Sequence, residues 1–161
     1  PLVAVLIGGS NRQYRMTEAV TQRLAADLRK LCTEHGAGLA VTASRRTGAG
    51  NEKHLRAALN DASCWFWDGS GDNPYFGLLG LADAIVVTAD SVSMVSEACA
   101  TGKPVHVIEL EGGSAKFARF HDGLRAAGIT RPFDGSLDSW TYDAPDDTAR
   151  VAAEVARRLS S

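Results

Sequence analysis

The chain has 161 residues, 45% of them hydrophobic and 22% charged, which suits one folded α/β domain and excludes a disordered chain. Lys and Arg number 17 against 19 Asp and Glu, a net charge of -2, so a general nucleic-acid-binding surface is not expected. No apolar run reaches the roughly 20 residues of a membrane span, and Leu2 to Ile7 is too short for a signal peptide. That opening run, closed by Gly8-Gly9-Ser10, predicts a strand buried on both faces. Thr17 is placed to cap a helix carrying Val20, Leu24, Leu28 and Leu31 up to Gly36. Leu39 to Ala43 reads as a second strand ending in Ser44-Arg45-Arg46-Thr47, Asn51 to Leu59 as a helix, and Ser63 to Trp67 as a third strand. After a loop from Asp68 to Pro74 come a short helix from Tyr75 to Ala82 and a fourth strand from Ala84 to Thr88. Ser91 or Ser93 caps a helix to Ala100, and Gly102 stops it. Pro104 to Ile108 reads as a fifth strand, placed toward the sheet edge by its proline. Ser114 to Ala127 is helical, and Pro145 to Leu159 predicts an amphipathic helix with Val151, Val155 and Leu159 on one face.

This alternation predicts a single α/β domain over residues 1–161: a Rossmann-like parallel sheet of about five strands with helices on both faces. Ligands bind such sheets at the carboxyl ends of the strands, near the point where strand order reverses. The loops there are Gly8–Tyr14, Ser44–Thr47, Phe66–Pro74, Ala89–Ser93 and Glu109–Ser114. Gly8-Gly9-Ser10 lets backbone approach a ligand and offers amides to an anion, although a plain strand-to-helix turn uses the same residues. The spacing is not the dinucleotide G-x-G-x-x-G, no acidic residue follows the second strand, and no Walker lysine motif is present. Arg45 and Arg46 stand there instead, able to fork onto phosphate or simply to be solvated. Phe66 or Trp67 can pack on a nucleobase, the alternative being that Trp65 and Trp67, which share a face, anchor the core.

Chemistries that need dense catalytic constellations are not supported. His35, His54, His106 and His121 lie on different elements and make no zinc spacing, and Asp68 and Asp72 are not a D-x-D pair. There is no G-x-S-x-G nucleophile elbow and no Tyr-x-x-x-Lys pair. No metal site and no bound cofactor are expected. Cys32, Cys64 and Cys99 are odd in number and widely spaced, which fits reduced, mostly buried thiols in a cytoplasmic protein.

The segment from Leu81 to Pro104 holds a strand, a hydroxyl-rich turn Asp90-Ser91-Val92-Ser93, a helix with Glu97 in its second turn, and a Gly102-Lys103-Pro104 exit. It resembles the nucleotide-sugar-binding half of the glycosyltransferase B fold. That resemblance implies that Ser91, Val92 and Ser93 meet a diphosphate and Glu97 the ribose hydroxyls. It also implies that Glu111 and Lys116, after the fifth strand, lie near the donor sugar. Many relatives carry Gly-Gly or Ser-Gly where this chain has Asp90-Ser91, and a carboxylate there repels a diphosphate unless it points away. Together with Gly8-Gly9-Ser10, Ser44-Arg45-Arg46-Thr47, Asn73-Pro74-Tyr75 and Gly112-Gly113-Ser114-Ala115-Lys116-Phe117, the segment is similar to a bacterial family named after the plant elongated-mitochondria fission factor. Its members are often labelled nucleoside-diphosphate-sugar epimerases.

Family chains are longer, so the resemblance implies the C-terminal half of a two-domain protein whose N-terminal domain is a partner supplying any catalytic base. The expected ligand is a nucleoside diphosphate sugar, a UDP-sugar foremost, held as the substrate of a glycosyltransferase-like enzyme. By this reading the fragment alone is inactive and its catalytic residues are unassigned. An epimerase on the same fold and a non-catalytic interaction module are the alternatives. The expected binding residues are Gly8, Gly9, Ser10, Arg45, Phe66, Ser91, Val92, Ser93, Glu97, Glu111 and Lys116.

Overall fold

A computed structural model of the chain describes residues 1–147 and residue 157. Strand β1 (Leu2–Ile7) leads through a short strand β2 (Tyr14–Arg15) into helix α1 (Glu18–His35), strand β3 (Gly38–Ala43), helix α2 (Ala49–Leu59) and strand β4 (Cys64–Phe66). Helix α3 (Tyr75–Leu81), strand β5 (Ala84–Thr88), helix α4 (Val92–Cys99) and strand β6 (Val105–Ile108) follow. A short strand β7 (Glu111–Gly112), helix α5 (Ala115–Ala126) and strand β8 (Thr130–Pro132) complete the described elements.

Six strands form one sheet in the order β4-β3-β1-β5-β6-β8, every pair parallel. The apolar run of β1 explains its central place, because Val3 to Ile7 are covered on both faces. Val5 lies between Val41 of β3 and Val86 of β5, and all three are fully buried. The chain runs outward from β1 to β4, then restarts at β5 and runs the other way. Right-handed crossovers therefore send the later helices to the opposite face from α1 and α2, which pack on each other. The reversal opens a crevice between the carboxyl ends of β1 and β5.

Helix α1 forms as its sequence dictates. Thr17 accepts the Val20 amide at the start, and Gly36 closes it in the left-handed region at φ 61°. Its Val20, Leu24, Leu28 and Leu31 stripe is buried, each such side chain contributing about 1.5–3 kcal/mol when removed from water.

The expected parallel sheet is present with six strands, Thr130–Pro132 adding one beside β6, and two finer expectations are corrected. The edge position expected for the fifth strand therefore belongs to β8. Pro104 sits one residue before β6, where its missing N–H removes no ladder bond and its carbonyl accepts the Ile85 amide at 2.9 Å. Finally, the tryptophans are not core anchors. Strand β4 is an edge strand, and Trp65 is 51% exposed. The helix expected from Pro145 to Leu159 falls largely outside the described residues.

The three cysteines are free, with Cys99 buried and Cys32 and Cys64 half-buried. Burial pushes the Cys64 and Cys99 thiols up to about 11, so both stay protonated and unreactive at neutral pH. Among the described residues no helix is long and apolar enough to cross a membrane.

His106 on β6 is buried against the ring edges of Phe133 and Trp140. Burial, with the nearby Arg131 charge, holds its pKa below the ordinary imidazole value, against the opposing pull of Asp138 and Asp134. The folded state thus refuses a proton that the unfolded chain accepts below about pH 6.5. Stability is expected to fall as pH drops from 7 to 5, by at most about 1.4 kcal/mol per pH unit from this residue. Urea titrations at both pH values check this. The variant His106→Leu should lose that part of the acid dependence, and an unchanged acid slope in the folded variant counts against it.

Candidate functional site

Because all six sheet strands are parallel, the loops after β1, β3, β4, β5 and β6 share one rim. Most of the expected binding residues fall on elements that begin or end there: Gly8, Gly9 and Ser10 after β1, Arg45 after β3, Phe66 at the end of β4, Ser91 to Ser93 at the start of α4, and Glu111 and Lys116 after β6, while Glu97 lies further along α4 beside a hollow lined by Cys99 and Phe120. They are spread along the rim rather than gathered. Phe66 and Glu111 follow strands four places apart in the sheet, which is about 19 Å at the usual strand spacing.

The tightest cluster lies in the crevice between β1 and β5, and its centre is Asp90. The Asp90 side chain is 0% exposed. Its Oδ2 accepts the Gly9 amide at 3.1 Å and the Arg46 guanidinium at 2.6 Å, while Oδ1 has no hydrogen-bond partner among the described residues. The Asn11 side chain donates to the Asp90 carbonyl at 3.1 Å. Thr47 and Ser44 hydroxyls donate to the Gly8 carbonyl at 2.6 and 2.8 Å. One buried carboxylate and its surrounding bonds thus fasten the loops after β1, β3 and β5 together.

This explains the two glycines physically. A Cβ on Gly8 would lie 2.3 Å from the Asp90 carboxylate. A Cβ on Gly9, whose φ is +143°, would lie 2.1 Å from the Arg46 carbonyl oxygen. The close approach that the glycines permit is therefore made by the chain's own residues. The three amides of this turn are likewise bonded internally: Gly8 to the Thr88 hydroxyl at 2.7 Å, Gly9 to Asp90, and Ser10 to the Arg46 carbonyl at 3.0 Å. The expectation that they stand free for an anion is corrected accordingly.

Among the described residues, amides without an intrahelical acceptor stand at the start of α4. Ser91 is the N-cap and accepts the Met94 amide at 3.2 Å, and Val95 donates to the Ser91 carbonyl. The amides of Val92 and Ser93 have no intrahelical acceptor, as at any helix start, and they sit at its positive end. Both residues are exposed. Further along α4 Glu97 is half-buried and accepts a hydrogen bond from the Tyr75 hydroxyl of α3. Burial, then the Glu97 bond and charge, push the Tyr75 hydroxyl well above the ordinary phenol value, so Tyr75 is a donor at any physiological pH.

The flanks are formed by smaller features. Strands β2 and β7 pair antiparallel through Tyr14 and Gly112, tying the loop after β6 to the loop after β1. Glu111 accepts the Thr17 hydroxyl at 2.7 Å, which couples it to the cap of α1, while Lys116 is exposed on α5. A cavity of about 250 Å³ under this flap is lined by Tyr14, Ala89, Glu109, His121 and Arg125. His121 is buried with Nε2 at 2.9 Å from the Ala89 carbonyl, an arrangement that puts the proton on Nε2. At the other end a hollow of about 340 Å³ is lined by Trp65, Phe66, Trp67 and Pro74. The Arg56 guanidinium stacks 4.0 Å over the Phe66 ring, so one face of that ring is already covered. Among the described residues no group of three or more His, Cys, Asp or Glu side chains could hold a metal ion.

Sequence reasoning missed Tyr75 as the partner of Glu97, and the union of Asp90 with Arg46. The second carried a usable signal. In a doubly wound sheet the first strand lies between the second and the one that restarts the order, so a long polar side chain after β3 can reach one after β5 across the glycine turn that follows β1.

The solved structures most alike in fold include an octameric hydrolase of unknown specificity from Escherichia coli, at TM-score 0.49 and 16% identity over 98% of this chain and 91% of that one. Another is a dodecameric FMN-dependent UbiX-like decarboxylase from Escherichia coli O157:H7, at TM-score 0.48 and 11% identity over 98% of this chain and 94% of that one. At those values the likeness bears on neither ligand nor assembly. Sequence relatives are nearer. The mitochondrial fission protein ELM1 of Arabidopsis thaliana is 38% identical over 165 residues, covering 100% of this chain and 38% of the plant protein. Protein RP120 of Rickettsia prowazekii (strain Madrid E) is 31% identical over 157 residues, covering 92% of this chain and 44% of that protein. The chain thus spans less than half the length of either relative. The sequence profile of mitochondrial fission ELM1 matches residues 1–159, taking in the glycine turn, the Asp90–Arg46 crevice and the α4 start alike, and the chain belongs to that family.

Proposed function

We propose that this chain is a nucleoside-diphosphate-sugar-binding domain and that the diphosphate lies at the start of α4. The observation that carries the reading is the pair of exposed residues Val92 and Ser93, whose amides have no intrahelical acceptor, beside the switch-point crevice of a doubly wound sheet. Arg45, exposed after β3, adds positive charge at the rim, and Ser10 and Ser91 add hydroxyls. Glu97, steadied by Tyr75, accepts the ribose hydroxyls. The hollow at Phe66 receives the base, and Glu111 and Lys116 flank the sugar. Gly8 and Gly9 act from beneath, by letting the loops close around Asp90. In the longer protein this binding serves glycosyl transfer or epimerisation, with the catalytic base supplied from outside these 161 residues.

A thermal-shift panel of UDP, GDP, CDP, ADP and their sugars tests the reading. A ligand at 100 times its dissociation constant raises stability by about 2.7 kcal/mol. At least one nucleoside diphosphate sugar should give such a shift, undiminished by EDTA and weakened by salt, because amide and arginine donors are screened but need no cation. No shift with any nucleotide favours a non-catalytic interaction module. A shift that needs Mg²⁺ overturns the amide-based site.

A further inference from the structure

We infer that Asp90 is a specificity-determining residue: a resident negative charge that makes the crevice favour a diphosphate diester over a free diphosphate end. This rests on the reading just given and names which charge state of the ligand the same site accepts. Asp90 is fully buried, whereas its counter-ion Arg46 is 46% exposed. Water and salt screen the guanidinium more than the carboxylate. The dry side of the crevice therefore experiences the negative partner more strongly, although the pair is formally neutral.

The Asp90 charge is also felt at Tyr14, whose hydroxyl is held above the ordinary phenol value by burial first and then by the Asp90 and Glu109 charges. The α4 start is covalently adjacent, since Val92 follows Asp90 by two residues. The Gly9 amide and one arm of Arg46, which would otherwise attract an anion, are held by Asp90 itself. A nucleoside diphosphate sugar carries two negative charges, and a free nucleoside diphosphate about three at pH 7. The additional charge is what Asp90 disfavours. The carboxylate also has no exposed atom through which a cation or a water could relieve it.

Asp90→Asn removes the charge while leaving an oxygen to accept the Gly9 and Arg46 bonds. Calorimetric titration with UDP and UDP-glucose gives the ratio of their dissociation constants. In wild type UDP-glucose should bind at least as tightly as UDP, and in Asp90→Asn the balance should move toward UDP by about tenfold, the order expected of one charge at close range. An unchanged ratio in the folded variant overturns the inference. Should Asp90→Asn not fold, Arg46→Gln provides the opposite arm. With Asp90 left uncompensated, the balance should move further toward UDP-glucose, and no movement overturns the inference. If wild type binds neither nucleotide, the function reading falls while this one is still tested with pyrophosphate and its dimethyl diester, esterified at both ends, as probes. A gain for pyrophosphate over the diester in Asp90→Asn supports it, and the absence of a gain overturns it.

Discussion

Gly9→Ala is expected to lower the unfolding free energy by about 3 kcal/mol or more, the sum of a disfavoured backbone region and a backbone overlap. The φ of +143° is one that side-chain-bearing residues rarely adopt, and the new methyl would meet the Arg46 carbonyl at 2.1 Å. Relief requires the loop after β3 to move outward. That movement breaks the Ser10 to Arg46 bond and draws Arg46 from Asp90, leaving a buried carboxylate short of its counter-ion. Urea denaturation measures the loss. Gly123→Ala is the matched control. It lies inside α5 with open space where the methyl would go, and it should raise stability by about 0.4–1 kcal/mol. Equal effects at the two positions would mean that the glycine turn is not under the constraint described.

Glu97→Ala is expected to weaken nucleotide binding by about 1.5–3 kcal/mol, the scale of a hydrogen bond to a charged group. The fold should survive, because Glu97 is only half-buried and, among the described residues, the hydrogen bond it accepts comes from the Tyr75 hydroxyl. The loss should fall on the ribose. Wild type should prefer a ribonucleoside diphosphate to its 2′-deoxy counterpart, and the variant should show little preference. Unchanged affinity in the variant, with wild type binding, removes Glu97 from the site. A loss that is equal for both sugars assigns Glu97 to holding α3 against α4 instead.

Much of this molecule was legible in the chain. The apolar run from Leu2 to Ile7 determines a strand covered on both faces, and a strand so covered must be central to a parallel sheet. Thr17, Gly36 and the spacing of Val20, Leu24, Leu28 and Leu31 determine α1 from cap to cap. Alternation of such elements determines the class of fold, and parallel strands then determine that the polar loops share a rim. These are local or periodic properties, and a sequence displays them directly. The sheet's far side was less legible. Thr130–Pro132 is three residues long, too short for a period to declare itself. Pro104 gave a misleading edge signal because one residue of displacement is enough to take a proline out of the ladder.

What only the tertiary structure decided is which polar groups are already partnered. Gly8-Gly9-Ser10 reads as an anion cradle because glycines expose amides. Whether an amide is free depends on residues 36 to 81 positions away, here Arg46, Thr88 and Asp90. Asp90 itself, an obstacle to a diphosphate when read along the chain, turns into the crevice and is matched by Arg46. Trp65 and Trp67 share a face in any strand, but only strand order tells whether that face is covered, and β4 ends the sheet. Sequence determines the elements through interactions between near neighbours. The site's electrostatics are set by contacts between loops that chain connectivity keeps far apart, and the folded sheet alone brings those loops together.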